Sequence, residues 1–181
     1  MAVEKVRQRL LRSTAALEKH GVPYAVIGGH AVAVWVARVD EDAVRNTVDV
    51  DVLLRRDDLP RADAALAEAG FDRTEVHGVT LFLDRESPSP RKAIHVVFAG
   101  EKVRPFDAQP APDLSNLDRA ADGFAVIDLK SLLTMKLTAY RDKDRTHIRD
   151  MLELDMITLE LEAQLPEILR ARLAALRETP E

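Results

Sequence analysis

The chain has 181 residues, 46% hydrophobic and 31% charged, so it is long enough to bury an ordinary core and too apolar to be disordered throughout. It contains no cysteine, which excludes disulfides and thiolate zinc sites as the features that hold the fold. The formal net charge of -5 argues against nucleic-acid binding over the whole surface. No apolar run reaches membrane-spanning length and the N-terminus lacks a signal-peptide pattern, so we expect a cytoplasmic protein without a membrane partner.

The first 37 residues predict a helix, a strand and a second helix. Residues 3–19 carry apolar side chains near helical spacing and end at a glycine, which is a typical helix stop. Residues 23–27 predict a short buried strand that runs into Gly28-Gly29. The apolar run at residues 30–37 fits a buried helix or another strand. We favour the helix, because a glycine pair between two apolar runs is a natural strand-to-helix bend.

Residues 45–53 predict a strand with one apolar and one polar face, because side chains alternate across a sheet. The side chains expected to face a core are Val48, Val50 and Val52. Those expected to share the polar face are Arg45, Thr47, Asp49 and Asp51. Two carboxylates on one face repel each other unless a cation lies between them, so the pair predicts a divalent metal site. The alternative is a half-exposed strand with an ordinary solvated face.

The middle of the chain predicts one helix and three strands. Residues 57–60 supply an N-cap and a first-turn proline for a helix that ends at Gly70. The three strand candidates, expected to form antiparallel hairpins, are residues 71–76, 79–84 and 93–98. Residues 105–112 contain several prolines and predict a connection, after which the pattern is helical at residues 129–140, 145–154 and 166–176. We therefore expect an α/β region at residues 1–112 and a helical region at residues 113–181 packed on it.

The glycine pair and the acidic strand together predict one chemistry. A Gly-Gly at the start of a helix leaves backbone amides and the positive end of the helix available to phosphates, although such a pair alone is more often only a turn. The two carboxylates would hold Mg²⁺, and the metal and the amides would hold a triphosphate. The reaction predicted is attack of an acceptor hydroxyl on the α-phosphate, with pyrophosphate as the leaving group.

Gly28-Gly29, followed by Arg45-x-Thr47-x-Asp49-Val50-Asp51, resembles the signature of the DNA polymerase beta-like nucleotidyltransferase superfamily. The spacing is similar to that of its branch containing the AbiE abortive-infection toxins. The resemblance implies an α+β fold with a mixed sheet flanked by helices, and transfer of NMP from an NTP to RNA, protein or a small molecule. It also implies Asp49 and Asp51 as Mg²⁺ ligands, Gly28 and Gly29 as triphosphate ligands, and a toxin-antitoxin setting with a cognate partner protein.

Two further residues of the motif have alternative roles. Arg45 is available to phosphate or forms an ion pair that orients Asp49, and the sequence leaves both alternatives open. Thr47 is a hydrogen-bonding neighbour in the resemblance, and a structural role is the stronger expectation for it.

The chain departs from the family pattern at the third carboxylate that active members carry on a later strand. The strand that aligns there has His95 at this position. Histidine can act as a general base, but it cannot replace an anionic oxygen ligand for Mg²⁺ without loss. The acids that could substitute for it are Glu75, Asp84 and Glu101. The alternative is a catalytically impaired protein that binds nucleotide or a protein partner.

A basic segment lies in the helical region. Between residues 136 and 149 there are five Lys and Arg against two Asp. The side chains that would share one face of a continuous helix are Lys136, Tyr140, Lys143, His147 and Asp150. This face could close over the triphosphate or guide the acceptor, and the alternative is a solvated helix face. Lys136 is our first candidate, whereas Lys143 and Asp144 rest on the resemblance alone.

Overall fold

The computed structural model describes residues 2–179 and has a seven-stranded mixed sheet flanked by helices on both faces. The strands are β1 (Tyr24–Ile27), β2 (Val50–Leu54), β3 (Phe71–Val76), β4 (Val79–Asp84), β5 (Ile94–Phe98), β6 (Leu117–Arg119) and β7 (Ala125–Ile127). The helices are α1 (Ala2–Lys19), α2 (Gly28–Ala37), α3 (Leu59–Glu68), α4 (Leu129–Ala139), α5 (Asp142–Glu153), α6 (Leu159–Ala163) and α7 (Glu167–Glu178). This architecture confirms the predicted fold class.

The strand order is β3-β4-β5-β2-β1-β7-β6. Strand β2 lies in the middle, antiparallel to β1 and parallel to β5. The predicted hairpins are confirmed, since β4 is antiparallel to both β3 and β5. The β3–β4 turn places His77 and Gly78 at φ values of 51° and 77°, which is the backbone twist that a two-residue hairpin turn requires.

The central strands of the sheet are buried on both faces. Helices α1 and α3 cover one face, and α2, α4, α5 and α7 cover the other. Val52 and Leu53 point to opposite faces of β2, and both have no exposed surface. Strand β2 is therefore a rigid central element, and a polar side chain at its end is held in a fixed direction. None of the helices within residues 2–179 is long and apolar enough to cross a membrane.

The predicted strand at residues 45–53 is too long at its N-terminal end. The structure begins β2 at Val50, and Val48, predicted to face a core, is 56% exposed. The reason is that β1 pairs with β2 only as far as Ile27 opposite Asp51, because the chain then turns into α2. Residues before Val50 have no neighbouring strand on that side and leave the sheet.

The region after residue 112, which we expect to be helical, also contains two strands. Strands β6 and β7 belong to the main sheet, where β7 runs parallel to β1. Each has three residues, which is too short for a strand pattern to be recognised in the sequence. The division of the chain near residue 112 stays a prediction. The two predicted regions include residues 1, 180 and 181, which lie outside the described residues.

The segment from Lys136 to Asp150 is not one continuous helix. Helix α4 ends at Ala139, Tyr140 adopts a left-handed conformation with φ of 50°, and α5 begins at Asp142. The predicted common face of five side chains therefore does not form. Lys136 and Lys143 instead lie on two separate helices.

Candidate functional site

A cleft of about 860 Å³ opens between the sheet and helix α4. Its lining includes Gly28 at the start of α2, Asp49 and Asp51 at the start of β2, His95 on β5 and Lys136 on α4. Residues separated by up to 108 positions in the sequence, from Gly28 to Lys136, thus meet in one cavity. This volume lies in the upper part of the range typical of small-molecule sites.

The start of α2 is packed directly against Asp51. Gly28 has φ of 68°, and a Cβ atom at this residue would lie 2.0 Å from Oδ2 of Asp51. Ile27 is the register partner of Asp51, which brings the carboxylate beside the bend. Only glycine satisfies both the backbone conformation and the close approach. The strand-to-helix bend and the carboxylate therefore form one unit.

Gly29 and Thr47 form a second close contact. A Cβ atom at Gly29 would lie 2.7 Å from Oγ1 of Thr47, so the threonine covers the first turn of α2. Thr47 and Arg45 line a separate groove of about 410 Å³ and are not among the residues that line the main cleft. This placement favours a structural role for Thr47.

Arg45 forms a two-point ion pair with Asp150 of α5. Its Nε donates to Oδ2 at 2.7 Å, and its Nη2 donates to Oδ1 at 2.9 Å. The sequence left phosphate binding and orientation of Asp49 as alternatives, and the structure shows a third role. Arg45 joins the segment before β2 to α5, and this contact fixes the position of α5 relative to the strand.

His95 lies next to Asp51 on the adjacent strand, in the register expected for the third carboxylate. Its Nδ1 is 3.4 Å from Oδ1 of Asp51, and its Nε2 is 3.0 Å from the carbonyl oxygen of Pro90. The hydrogen bond with Asp51 is the main cause of a raised pKa of His95, and burial opposes it. Since a carbonyl only accepts, Nε2 carries a hydrogen, and the hydrogen bond to Asp51 forms when Nδ1 carries one as well; the carboxylate therefore favours the protonated ring.

Asp84 does not replace the third carboxylate, because it points to the opposite face of the sheet. Its Oδ2 is 2.6 Å from Nη2 of Arg12 and 3.7 Å from Nε of Arg9, and both arginines belong to α1. Arg9 and Asp84 are nearly fully buried. The three side chains form a charge cluster that joins α1 to the sheet, with Arg12 partly exposed.

The other two acids considered for the third carboxylate also have partners other than Asp51. Glu101 lines the far part of the cleft, where Arg56 donates to both of its oxygens at 2.6 and 2.7 Å. Glu75 is an exposed residue of β3, and its Oε1 accepts a hydrogen bond of 3.3 Å from Thr80. Of the four residues considered for the position of the third carboxylate, His95 is therefore the one that contacts Asp51.

Lys136 is held by a buried charge cluster at the junction of α4 and α5. Its Nζ donates to Oδ1 of Asp144 at 2.9 Å, and the two side chains are only 5% and 1% exposed. Arg141 Nε donates to Oδ2 of the same carboxylate at 2.7 Å. Burial acts to raise the pKa of Asp144, but the hydrogen bonds and charges of Arg141 and Lys136 outweigh it and lower the pKa. One ionised carboxylate thus positions two cations beside the cleft.

The sequence did not single out Arg141, although a signal for it was present. Arg141 occupies the N-cap of α5 and Asp144 the third position of that helix, and the Asp144 side chain accepts from the backbone N–H of Arg141. An acidic residue at this position is typical of a capping box. Lys143 also lines the cleft, is exposed, and has no ion-pair partner among residues 4–179.

Replacing Gly28 with alanine is expected to weaken ligand binding in the cleft by about tenfold or more, because the new Cβ displaces the Asp51 carboxylate. Gly21→Ala is the matched control, since Gly21 has φ of 61° and no atom lies within 4 Å of the position that its Cβ would take. Both variants carry a similar backbone strain of about 1–2 kcal/mol. Thermal unfolding measures the loss of stability from backbone strain, and Mg²⁺-nucleotide titration measures the loss of affinity. Equal affinity in the two variants would contradict the role of the contact between Gly28 and Asp51.

His147 is expected to make the protein acid-sensitive. Burial is the main cause that lowers its pKa from 6.5 to about 4, with Lys136 and Lys143 adding to the shift and Asp144 and Asp150 opposing it. Because the unfolded chain binds the proton more readily, this contribution to stability is complete above pH 6.5 and declines as the pH falls toward 4.

The free energy of unfolding should fall by up to about 1.4 kcal/mol per pH unit in this window. Urea denaturation of the protein and of His147→Phe between pH 7 and pH 4 measures the slope, which the substitution should reduce. His77→Asn, on the exposed β3–β4 turn, is the control. An unchanged slope in His147→Phe would show that another group takes up the proton.

The donor set of the cleft fits a magnesium ion that is bound together with a nucleotide. Within the described part of the chain, no group of three or more His, Asp or Glu side chains could hold a metal. Asp49 and Asp51 supply carboxylate oxygens on one side of the cleft. Mg²⁺ is commonly bound by one or two carboxylates together with substrate phosphates and water.

Comparison of the sequence with protein-family models and with curated proteins finds no match. Solved structures do match. A nucleotidyltransferase-like protein from Paracoccidioides brasiliensis has a TM-score of 0.64 at 16% identity, over 98% of this chain and 89% of that chain. The antibiotic-resistance factor ANT(2'')-Ia in solution has a TM-score of 0.57 at 15% identity, over 98% and 94% of the two chains.

ANT(2'')-Ia in complex with adenylyl-2''-tobramycin matches with a TM-score of 0.56 at 16% identity, over 97% of this chain and 98% of that chain. These identities are too low to carry a substrate or a residue's role from one protein to another, but the matches extend over nearly the whole chain. These matches do not confirm the AbiE branch. The protein has the fold of nucleotidyltransferases.

Proposed function

We propose that the protein is a nucleotidyltransferase that moves NMP from a magnesium-bound NTP to a hydroxyl group of an acceptor. The observation that carries this proposal is the packing of Asp51 against Gly28 in a cleft that Asp49 and Lys136 also line. The glycine bend and the acidic residues belong to one sequence motif, and they are thus neighbours in space as well. The fold similarity to ANT(2'')-Ia supports the same class of reaction.

Each wall of the cleft has a distinct task in this proposal. Asp49 and Asp51 hold Mg²⁺, which when bound offsets the charge of the triphosphate and polarises the α-phosphate. The amides of Gly28 and Gly29, at the positive end of α2, donate to phosphate oxygens. On the opposite wall, the cations that approach the phosphates are Lys136, Arg141 and Lys143.

His95 is proposed as the base that accepts the proton of the acceptor hydroxyl. The carbonyl of Pro90 holds its Nε2–H, so Nδ1 is the atom that takes the proton, and the Asp51 carboxylate 3.4 Å away stabilises the imidazolium that forms. The acceptor oxygen forms a bond to the α-phosphorus, and the bond from that phosphorus to the bridging oxygen breaks. Pyrophosphate leaves with the electron pair, and the proton goes to Nδ1 of His95.

Binding and transfer are tested separately. Calorimetry with α,β-methylene ATP and Mg²⁺ should give a dissociation constant on the order of 1 µM to 1 mM, weakened at least about tenfold by EDTA. Incubation with α-³²P-labelled NTPs and a cell extract should then label an acceptor. Absence of nucleotide binding would remove the basis of the proposal.

The alternative function is a nucleotide- or protein-binding module without transfer. It is favoured by His95, because this residue stands where active members of the superfamily carry a carboxylate. Tight binding of the nucleotide analogue without labelling of any acceptor supports this alternative. Labelling that disappears when EDTA is added supports the enzyme.

A role as the toxin of a cytoplasmic toxin-antitoxin pair is a finer proposal that rests on the AbiE-like motif spacing. It implies RNA or protein as acceptor and a cognate antitoxin as partner. Induced expression in a bacterial host should then arrest growth, whereas expression of Asp49→Asn should not. Normal growth with the unchanged protein at the same expression level would refute this role.

A further inference from the structure

The cleft is also lined by residues that the proposed nucleotide site does not use. We call this set the acceptor arm; its residues come from the β3–β4 turn, the Pro90–Lys92 turn and the segment at residues 101–111. If the protein transfers a nucleotide as proposed, the acceptor binds beside these residues, because His95, the proposed base, contacts both Asp51 and the carbonyl of Pro90. The charge and polarity of the residues that line the acceptor arm therefore indicate which class of acceptor it binds.

The acids of the acceptor arm are already neutralised by arginines. Both oxygens of Glu101 accept from Arg56, at 2.6 and 2.7 Å. Asp107 is only 6% exposed and accepts from the Nε and the backbone N–H of Arg104, each at 2.9 Å. Among the described residues that line the arm, no carboxylate remains for an ammonium group of an acceptor.

Two cations of the acceptor arm, in contrast, are available. Arg91 and Lys102 line the cleft, are exposed, and form no ion pair with any residue from 4 to 179. They belong to two different segments, the Pro90–Lys92 turn and the chain after β5. A ligand in the acceptor arm meets an excess of positive charge, which favours an anion.

The remaining surface of the acceptor arm is apolar. Val79 and Val103 are 44% and 60% exposed, and Leu81 and Phe98 also line the cleft. The guanidinium of Arg56 stacks over the Phe98 ring at 3.8 Å from its centroid. Apolar walls with a few charged groups are typical of a site for a small molecule.

We propose that the acceptor is a small hydroxyl compound that carries a phosphate group, which Arg91 and Lys102 recognise. The cleft volume of about 860 Å³, which the acceptor shares with the nucleotide, and the net charge of -5 favour a small molecule over RNA. The same charge distribution disfavours a polyammonium acceptor of the tobramycin type. This inference rests on the proposed function for the direction from which the acceptor enters.

Three sugar probes that differ in charge test the inference: glucose 6-phosphate, glucose and tobramycin. Calorimetry is carried out with and without saturating Mg²⁺ and α,β-methylene ATP. Glucose 6-phosphate should bind at least about tenfold more tightly than the other two, in line with charge-assisted hydrogen bonds to its phosphate. Arg91→Glu and Lys102→Glu should each remove this preference and leave the affinity for the nucleotide analogue unchanged.

Lys92→Glu is the matched control, because Lys92 is an exposed cation of the same turn as Arg91 but does not line the cleft. Equal or weaker binding of glucose 6-phosphate overturns the inference, as does tighter binding of a short single-stranded RNA. An effect of Lys92→Glu equal to that of Arg91→Glu also overturns it. The probes are also measured without nucleotide, so the two proposals fail separately. If the unchanged protein does not bind the nucleotide analogue but still prefers glucose 6-phosphate, only the proposed function is overturned.

Discussion

Asp51→Asn is expected to slow nucleotidyl transfer by on the order of a thousandfold, because a metal ion's electrostatic stabilisation is worth several kcal/mol. The amide has nearly the shape of the carboxylate, so it preserves the packing against Gly28 and the place beside His95. It removes the negative charge that makes the oxygen a strong ligand for Mg²⁺. The fold should therefore remain while the chemistry is lost.

Single-turnover labelling with α-³²P NTP, at saturating Mg²⁺, measures this effect. Asp57→Asn is the control, since Asp57 is an exposed carboxylate only a few residues farther along the chain and does not line the cleft. Asp49→Asn should behave like Asp51→Asn. If transfer proceeds at the original rate in both cleft variants, the acidic pair is not the metal site.

The parts of the fold that follow from local pattern were predictable from the sequence. The hairpin of β3 and β4 has a two-residue turn between two strands, and its bounds were predicted correctly at residues 71–76 and 79–84. The buried positions Val50 and Val52 follow from the alternation of apolar and polar residues in β2. The start of β2 did not follow, because it depends on where β1 ends and not on the residues of β2.

The parts of the candidate site that depend on distant partners were not predictable. The ion pair of Arg45 with Asp150 joins residues 105 positions apart. The pairing of β7 with β1 likewise follows from the tertiary structure, since neither strand carries a sequence signal for its neighbour. Lys136 was recognised from its position in a basic segment, but its burial against Asp144 arises from the break at Tyr140, which turns α5 back onto α4.

Asp144→Ala is expected to reduce the free energy of unfolding by about 3–5 kcal/mol, because it leaves the ammonium of Lys136 buried without a counter-charge. Arg141 adds less to this loss, since its side chain is 55% exposed and can be solvated. Denaturant unfolding of the variant measures the change. A loss below about 1 kcal/mol would show that Lys136 reaches solvent when its partner is removed.

The double variant Lys136→Met/Asp144→Leu separates stability from function in this cluster. Replacing both members of a buried ion pair with apolar residues of similar volume is often neutral for stability, so most of the loss in Asp144→Ala should be recovered. Its affinity for the nucleotide should be lower than that of the unchanged protein, because the double variant cannot supply the ammonium at the wall of the cleft. A stable double variant that binds Mg²⁺ and α,β-methylene ATP with full affinity would mean that the pair only holds α4 against α5. A stable double variant with weakened binding means that Asp144 keeps Lys136 charged and directed at the cleft, at the cost of burying two ions.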